Sequence, residues 1–150
     1  MDEPAIEQQH VEVPSAKPAA LQPHSTDGRE FLAFLIGVAG WAVPGLGHAL
    51  QKMWGRALAV FLAVGALVIL GAGMRGNLFT SRGEDAFATL GYFADLGAGS
   101  FYALARFLET AGPDVSHSAG DYGTRFLATA GVLNLLSALH AYEAARGRKA

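Results

Sequence analysis

The sequence predicts an all-α fold: an integral membrane bundle of four transmembrane helices behind a disordered N-terminal tail. Three observations carry this reading. The chain has 150 residues, of which 51% are hydrophobic and 16% charged, against about 25% charged in an average soluble domain. The charges are unevenly placed: only Asp95 and Arg106 fall inside four long apolar stretches. The first two of these stretches are apolar all round, whereas the core helix of a soluble protein keeps a polar face.

Residues 1–30 read as a disordered cytoplasmic tail. Pro4, Pro14, Pro18 and Pro23 interrupt it, its apolar residues follow neither a strand nor a helix period, and acidic residues outnumber Lys17 and Arg29. Such a segment buries too little apolar surface to offset the entropy of ordering it. It is acidic where a secretory signal is basic.

The transmembrane domain is expected over 31–143, with spans at about 31–50, 57–74, 86–108 and 125–142. Twenty residues at about 1.5 Å rise cover roughly the 30 Å hydrocarbon core of a bilayer. Gln51 to Arg56 reads as a short polar turn, which makes the first two spans an antiparallel hairpin. Arg75 to Asp85 and Glu109 to Gly123 have the Gly, Asn, Ser and Pro content of loops. Residues 144–150 form a short basic cytoplasmic tail. Four through-spans put both termini and the 75–85 loop on one side, with Lys52, Arg56 and the 109–123 loop on the other. The basic residues near the span ends then place the termini in the cytoplasm.

Within the spans, Pro44 removes a backbone donor, and Gly45 and Gly47 loosen the chain around it, so the first span should kink or unwind there. Gly91, Gly97 and Gly99 on the third span, and Ala59, Ala63 and Ala66 on the second, present small-residue faces of the kind that let helices approach closely in lipid. Asp95, Asn134 and His48 are the candidate intramembrane polar site. Asp95 stands near the centre of its span, where an unpaired charge is costly. Its two readings are a proton or cation site, or a carboxyl hydrogen-bonded to a neighbouring helix. Arg106 follows Asp95 by about 16 Å of helix, too far to pair. If spans one and four cross in opposite senses, His48 and His140 lie on opposite faces of the membrane. That excludes a haem or metal shared between them.

A net charge of −2 and the absence of cysteine argue against a nucleic-acid partner, a disulfide scaffold and a thiolate metal site. No nucleophile motif and no phosphate-binding loop is visible. The expectation is therefore a non-enzymatic protein without metal or cofactor, whose partners are the lipid bilayer and other integral membrane proteins or itself, as an accessory or structural subunit. The alternative is a component of a small oligomeric transporter or channel that uses Asp95 and the Pro44 bend.

Several runs carry a family resemblance. They are Trp41 to His48, Gly55-Arg56-Ala57, Leu96-Gly97-Ala98-Gly99, and Asp121-Tyr122-Gly123-Thr124 through Gly131 to Leu136, then Ala141-Tyr142 and Gly147-Arg148-Lys149. Across about residues 31–149 the chain resembles a bacterial family of four-span membrane proteins of unknown function. Its first hairpin is distantly similar to the two-transmembrane-helix domain superfamily. The resemblance implies a bacterial inner (cytoplasmic) membrane location and supports four spans; it implies no activity.

Overall fold

The computed structural model describes residues 26–81, 85–109, 112–114 and 116–147. Its elements are α1 (Thr26–Ala42), α2 (Leu46–Leu50), α3 (Trp54–Gly73), α4 (Ala86–Leu96), α5 (Ser100–Leu108) and α6 (Ser118–Ala145). All regular elements among the described residues are helices. One of them, α3, is long and apolar enough to cross a membrane by length and composition.

Two apolar stretches expected to run through as single helices are instead helical hairpins. The segment 31–50 breaks at Pro44, as the missing donor and the following glycine require. Val43 accepts from Leu46 N–H at 3.0 Å, and Gly45 takes a left-handed φ of 83°. The chain then doubles back, so that Gly47 of α2 lies against Gly40 and the carbonyl of Ile36 on α1. The segment 86–108 breaks between Leu96 and Ser100, where Gly99 has a φ of 62°. No proline marks this second break.

The long helix α6 organises both hairpins. It runs antiparallel to α1: Glu30 pairs with Arg146, Gly37 sits against Tyr142, and Asn134 reaches Trp41. It also runs antiparallel to α3, with Gly71 against Gly123 and Leu127. Further along α6, α4 packs by its Ala94 against Gly131. The first hairpin thus occupies the half of the bundle nearer the end of α6, and the second the half nearer its start. Their tips meet in the middle. Val64, Val68, Leu78, Ala105, Leu127 and Ala130 form the apolar core where α3, α5 and α6 meet.

This arrangement corrects three expectations. Helix α1 begins at Thr26, so residues 26–30 belong to it rather than to a tail; residues 1–25 and 148–150 lie outside the described residues. The two loops assigned to opposite sides share one end of the bundle. Arg75 pairs with Asp114 at 3.3 Å, and the carbonyl of Arg75 accepts from Asp114 N–H at 2.9 Å. Hydrogen bonds from Ser116 and His117 hold the Asp114 carboxyl below the usual carboxylate range, which keeps this clasp charged. The turn at 51–53 returns to the end that holds Glu30 and Arg146, because α1 and α2 fold back on each other. Counting both apolar stretches as through-spans misplaced the loop and the turn.

Substitution at the second break tests the hairpin directly. A Cβ on Gly99 would overlap the carbonyl oxygen of Trp41, and the backbone there is already in a conformation that L side chains rarely adopt. Gly99→Ala is expected to destabilise the protein by roughly 1–3 kcal/mol or more in thermal melts. Gly73→Ala, with nothing near its Cβ, should be neutral or stabilise by up to about 1 kcal/mol. Equal melts for the two variants would contradict the hairpin.

Candidate functional site

The polar groups inside the bundle form three clusters. The first lies where the hairpin tips cross. Helices α1 and α4 both end there, and the last carbonyls of a helix have no intrahelical donor. Asn134 of α6, fully buried, donates from Nδ2 to the carbonyl of Trp41 at 2.8 Å and to that of Gly97 at 2.9 Å. Two acceptors require the nitrogen on this side, which fixes the amide orientation. Trp41 adds a third link, its Nε1 donating to the carbonyl of Leu96 at 3.3 Å. Asn134 Oδ1 is buried and has no hydrogen-bond partner among the described residues.

The crossing closes because small residues line it. A Cβ at Gly131 would overlap the carbonyl of Ala94, and one at Gly97 would sit 2.7 Å from the carbonyl of Gly131. Pro44 is buried at the first tip, and a Cβ at Gly45 would overlap the carbonyl of Ala57 on α3. Gly97 and Gly99, read as small residues for close packing within the chain or against a partner, make their close contacts within the chain.

The second cluster contains Asp95, which is 1% exposed. Its Oδ2 accepts from the backbone N–H of Phe79 at 2.8 Å, while Oδ1 has no partner among the described residues. Phe79 lies in the irregular segment after α3, where Leu78 and Gly76 are also buried. A buried extended segment must find partners for its amides. Asn77 N–H likewise donates to Thr124 Oγ1 at 2.8 Å. Asp95 therefore ties the connection between α3 and α4 to the end of α4. Arg106 takes no part and pairs with Glu109 at 3.2 Å.

The third cluster joins α2 to α6. His48 Nε2 and His140 Nδ1 are 3.0 Å apart, and Ser137 Oγ lies 3.5 Å from His48 Nδ1. Gln51 donates from Nε2 to the carbonyls of Gly47 and Ala141 at 3.0 and 2.9 Å. Gly47 permits the contact, since a Cβ there would lie 2.9 Å from that of Ala141. The sequence reading put His48 and His140 on opposite faces; the fold-back at Pro44 brings them together. Among the described residues no three His, Cys, Asp or Glu side chains converge on one point.

Sequence reasoning reached His48, Asp95 and Asn134 but not their separation into three clusters. It missed the roles of Trp41, Gln51, Ser137 and His140. Asn134, Ser137 and Ala141 recur at three- and four-residue spacing on α6, which signals one inward face, but their partners lie 37 to 93 residues away.

The crossing gives a measurable expectation. Asn134→Leu leaves the Trp41 and Gly97 carbonyls without donors and should cost about 1–3 kcal/mol for each in chemical or thermal unfolding. Asp95→Asn retains an acceptor for the Phe79 amide and should melt close to the unsubstituted protein. Asp95→Leu should lose about 1–3 kcal/mol. A wild-type melt for Asn134→Leu, or equal losses for the two Asp95 variants, would contradict these assignments.

A family model described as "Family of unknown function (DUF6677)" matches residues 35–150. No curated protein and no solved structure gives a match to the chain.

Proposed function

The chain belongs to that family of unknown function, and from the geometry above we propose that it is a non-enzymatic integral membrane protein that packs against other membrane proteins as an accessory or structural subunit. The single observation that carries this reading is the outward face of α3. Gly55, Ala59, Ala63, Ala66 and Gly73 are all exposed on it. A Cβ added at Gly55 or Gly73 would meet nothing within 4 Å. The inward face of the same helix is filled by Ala57, Val64, Val68 and Gly71. Small residues at helical spacing on an open apolar helix are what close helix association in lipid uses.

A membrane setting is supported by the rest of the surface. Phe31, Leu35, Leu58, Leu62, Ile69, Phe87, Phe107 and Leu136 are among many large apolar side chains left exposed, far more than a water-soluble monomer tolerates. In this reading α3 and α6 cross the bilayer, and the two hairpins enter from opposite sides and return. Irregular backbone at that depth is tolerated where protein covers it, which is the service Asn134, Trp41 and Asp95 provide. The end holding Glu30 and Arg146 also carries Arg29, Lys52 and Arg56, one basic residue more among the described residues than Arg75, Arg106 and Arg125 give the other end, which favours the cytoplasm for it. The resemblance to bacterial inner-membrane proteins agrees with this placement.

A second reading, a component of a small oligomeric transporter or channel that uses Asp95 and the Pro44 bend, draws on Asp95 Oδ1 and Asn134 Oδ1, which have no partner among the described residues. Against it, the hairpin tips close on each other: a Cβ at Gly99 would overlap the carbonyl oxygen of Trp41, and one at Gly131 that of Ala94.

The test is assembly. Extracted in mild detergent from its native membrane, the protein should run in native mass spectrometry as part of a complex larger than its own 15.7 kDa. Ala63→Leu and Ala66→Leu, at open positions that leave the fold intact, should release it as a lone chain. A lone wild-type chain, or complexes unaltered by both substitutions, would overturn the packing reading.

A further inference from the structure

The ring geometry of His48 and His140 is more specific than their proximity. The facing nitrogens are 3.0 Å apart, and the ring centroids 5.3 Å. That centroid separation equals the N···N distance plus the two centroid-to-nitrogen radii, so the centroids and both nitrogens fall on one line. The planes differ by 16°. The rings thus lie nearly edge to edge in a common plane rather than face to face. The in-plane orbital of each nitrogen points at the other, as in an N–H···N hydrogen bond. A metal held by both would need lone pairs converging on a point to one side, so this geometry favours a proton over a metal.

Such a bond holds one proton between the two nitrogens. One imidazole donates and the other accepts. If both rings are protonated, both facing nitrogens carry hydrogen, the bond is lost and two cations stand in its place. This bond is one of few polar ties between α2 and α6, beside the Gln51 amide to Ala141.

The surroundings add to the constraint. His48 is 2% exposed, so a charge on it is poorly solvated. From α3 it feels the positive charge of Arg56. From α6 it meets His140 and the Ser137 hydroxyl, with Tyr142 and Glu143 following His140 in sequence. The titratable residues of α1 are Asp27, Arg29 and Glu30 near its start, and Glu30 is held by Arg146. On its own element His48 is followed by Gln51, whose amide is bound to backbone, and by the exposed Lys52.

We propose that the His48–His140 pair is a proton-operated latch that holds the α1–α2 hairpin on α6 when it carries one shared proton and releases α2 when both rings are protonated. The group at stake is the segment Leu46 to Met53, of which Gly47 and His48 are buried and whose amides are bonded to the Val43, Gly45, His48 and Ala49 carbonyls. Its opening leaves α3 and the remainder of α6 in place, because their mutual contacts do not pass through the pair.

The experiment is hydrogen–deuterium exchange of the full chain in lipid nanodiscs, with rates corrected for the intrinsic effect of pH. Between about pH 7.5 and about pH 4, a range taken well below the ordinary imidazole midpoint of about 6.5 because a second charge in the buried pair is costly, protection of residues 46–53 should fall by about tenfold or more, while that of α3 holds. His140→Asn places an amide where Nδ1 stood and can still accept from a protonated His48. It should keep protection near the wild-type level at the higher pH and abolish its loss at the lower. His48→Gln, offering an amide in place of Nε2, should behave alike. Protection of 46–53 independent of pH in the wild type would overturn the latch. So would an acid-induced loss of the same size in both amide variants, since it would then arise elsewhere.

Discussion

A helix that ends inside an apolar bundle leaves its last carbonyls without donors, and this chain ends two helices at one place. The side-chain amide of Asn134 answers both, donating to Trp41 of the first hairpin and to Gly97 of the second. The rest of the structure depends on this bridge. It permits α1 and α4 to stop halfway along α6, and it fixes the height at which they meet. It also joins three elements distant in sequence through one residue. Each unsatisfied carbonyl would cost about 1–3 kcal/mol, a large part of the net stability of a domain this size.

The bridge works only if the backbones come close, and that explains where the small residues fall. Gly131 and Gly97 let α4 touch α6, and Gly99 lets the second tip reach the first. Gly45 lets the first tip pass under α3, and Gly47 lets α2 lie against α6 so that His48 reaches His140. Asp95 does for the segment after α3 what Asn134 does for the helix ends, supplying a partner to a buried amide. The interior polar side chains are thus occupied with backbone and with one another. The outer side of α3 carries no such obligation and presents small residues, which is why the proposed partner is placed there.

Much of this was legible in residues 31–147. Long uncharged runs announced helices, and Pro44 with Gly45 announced a bend. Asp95 and Asn134 stood out as polar residues that needed partners. The direction of the chain after each bend was not legible. Composition reports the surroundings of a segment, but not whether it continues or turns back. At Pro44 the local chemistry permits either a kink or a reversal; the contact of Gly47 with Ile36 and Ala141 decides for reversal. At Gly97–Gly99 no residue forbids a continuous helix, since isolated glycines inside a helical pattern are tolerated. One unread reversal in each half was enough to misplace a turn, a loop and the His48–His140 pair.

The account therefore turns on which parts of the chain share a side. The sequence has no cysteine, so single cysteines can be introduced at Asp27, Lys52, Ser81 and Ser116, all exposed, and probed with a membrane-impermeant thiol reagent in intact cells and in inverted vesicles. Two hairpins that enter and return require Asp27 and Lys52 to label from one side and Ser81 and Ser116 to label from the other. Labelling of Asp27 with Ser81 from one side, and of Lys52 with Ser116 from the opposite one, is what four through-spans demand, and it would contradict the crossing at Asn134.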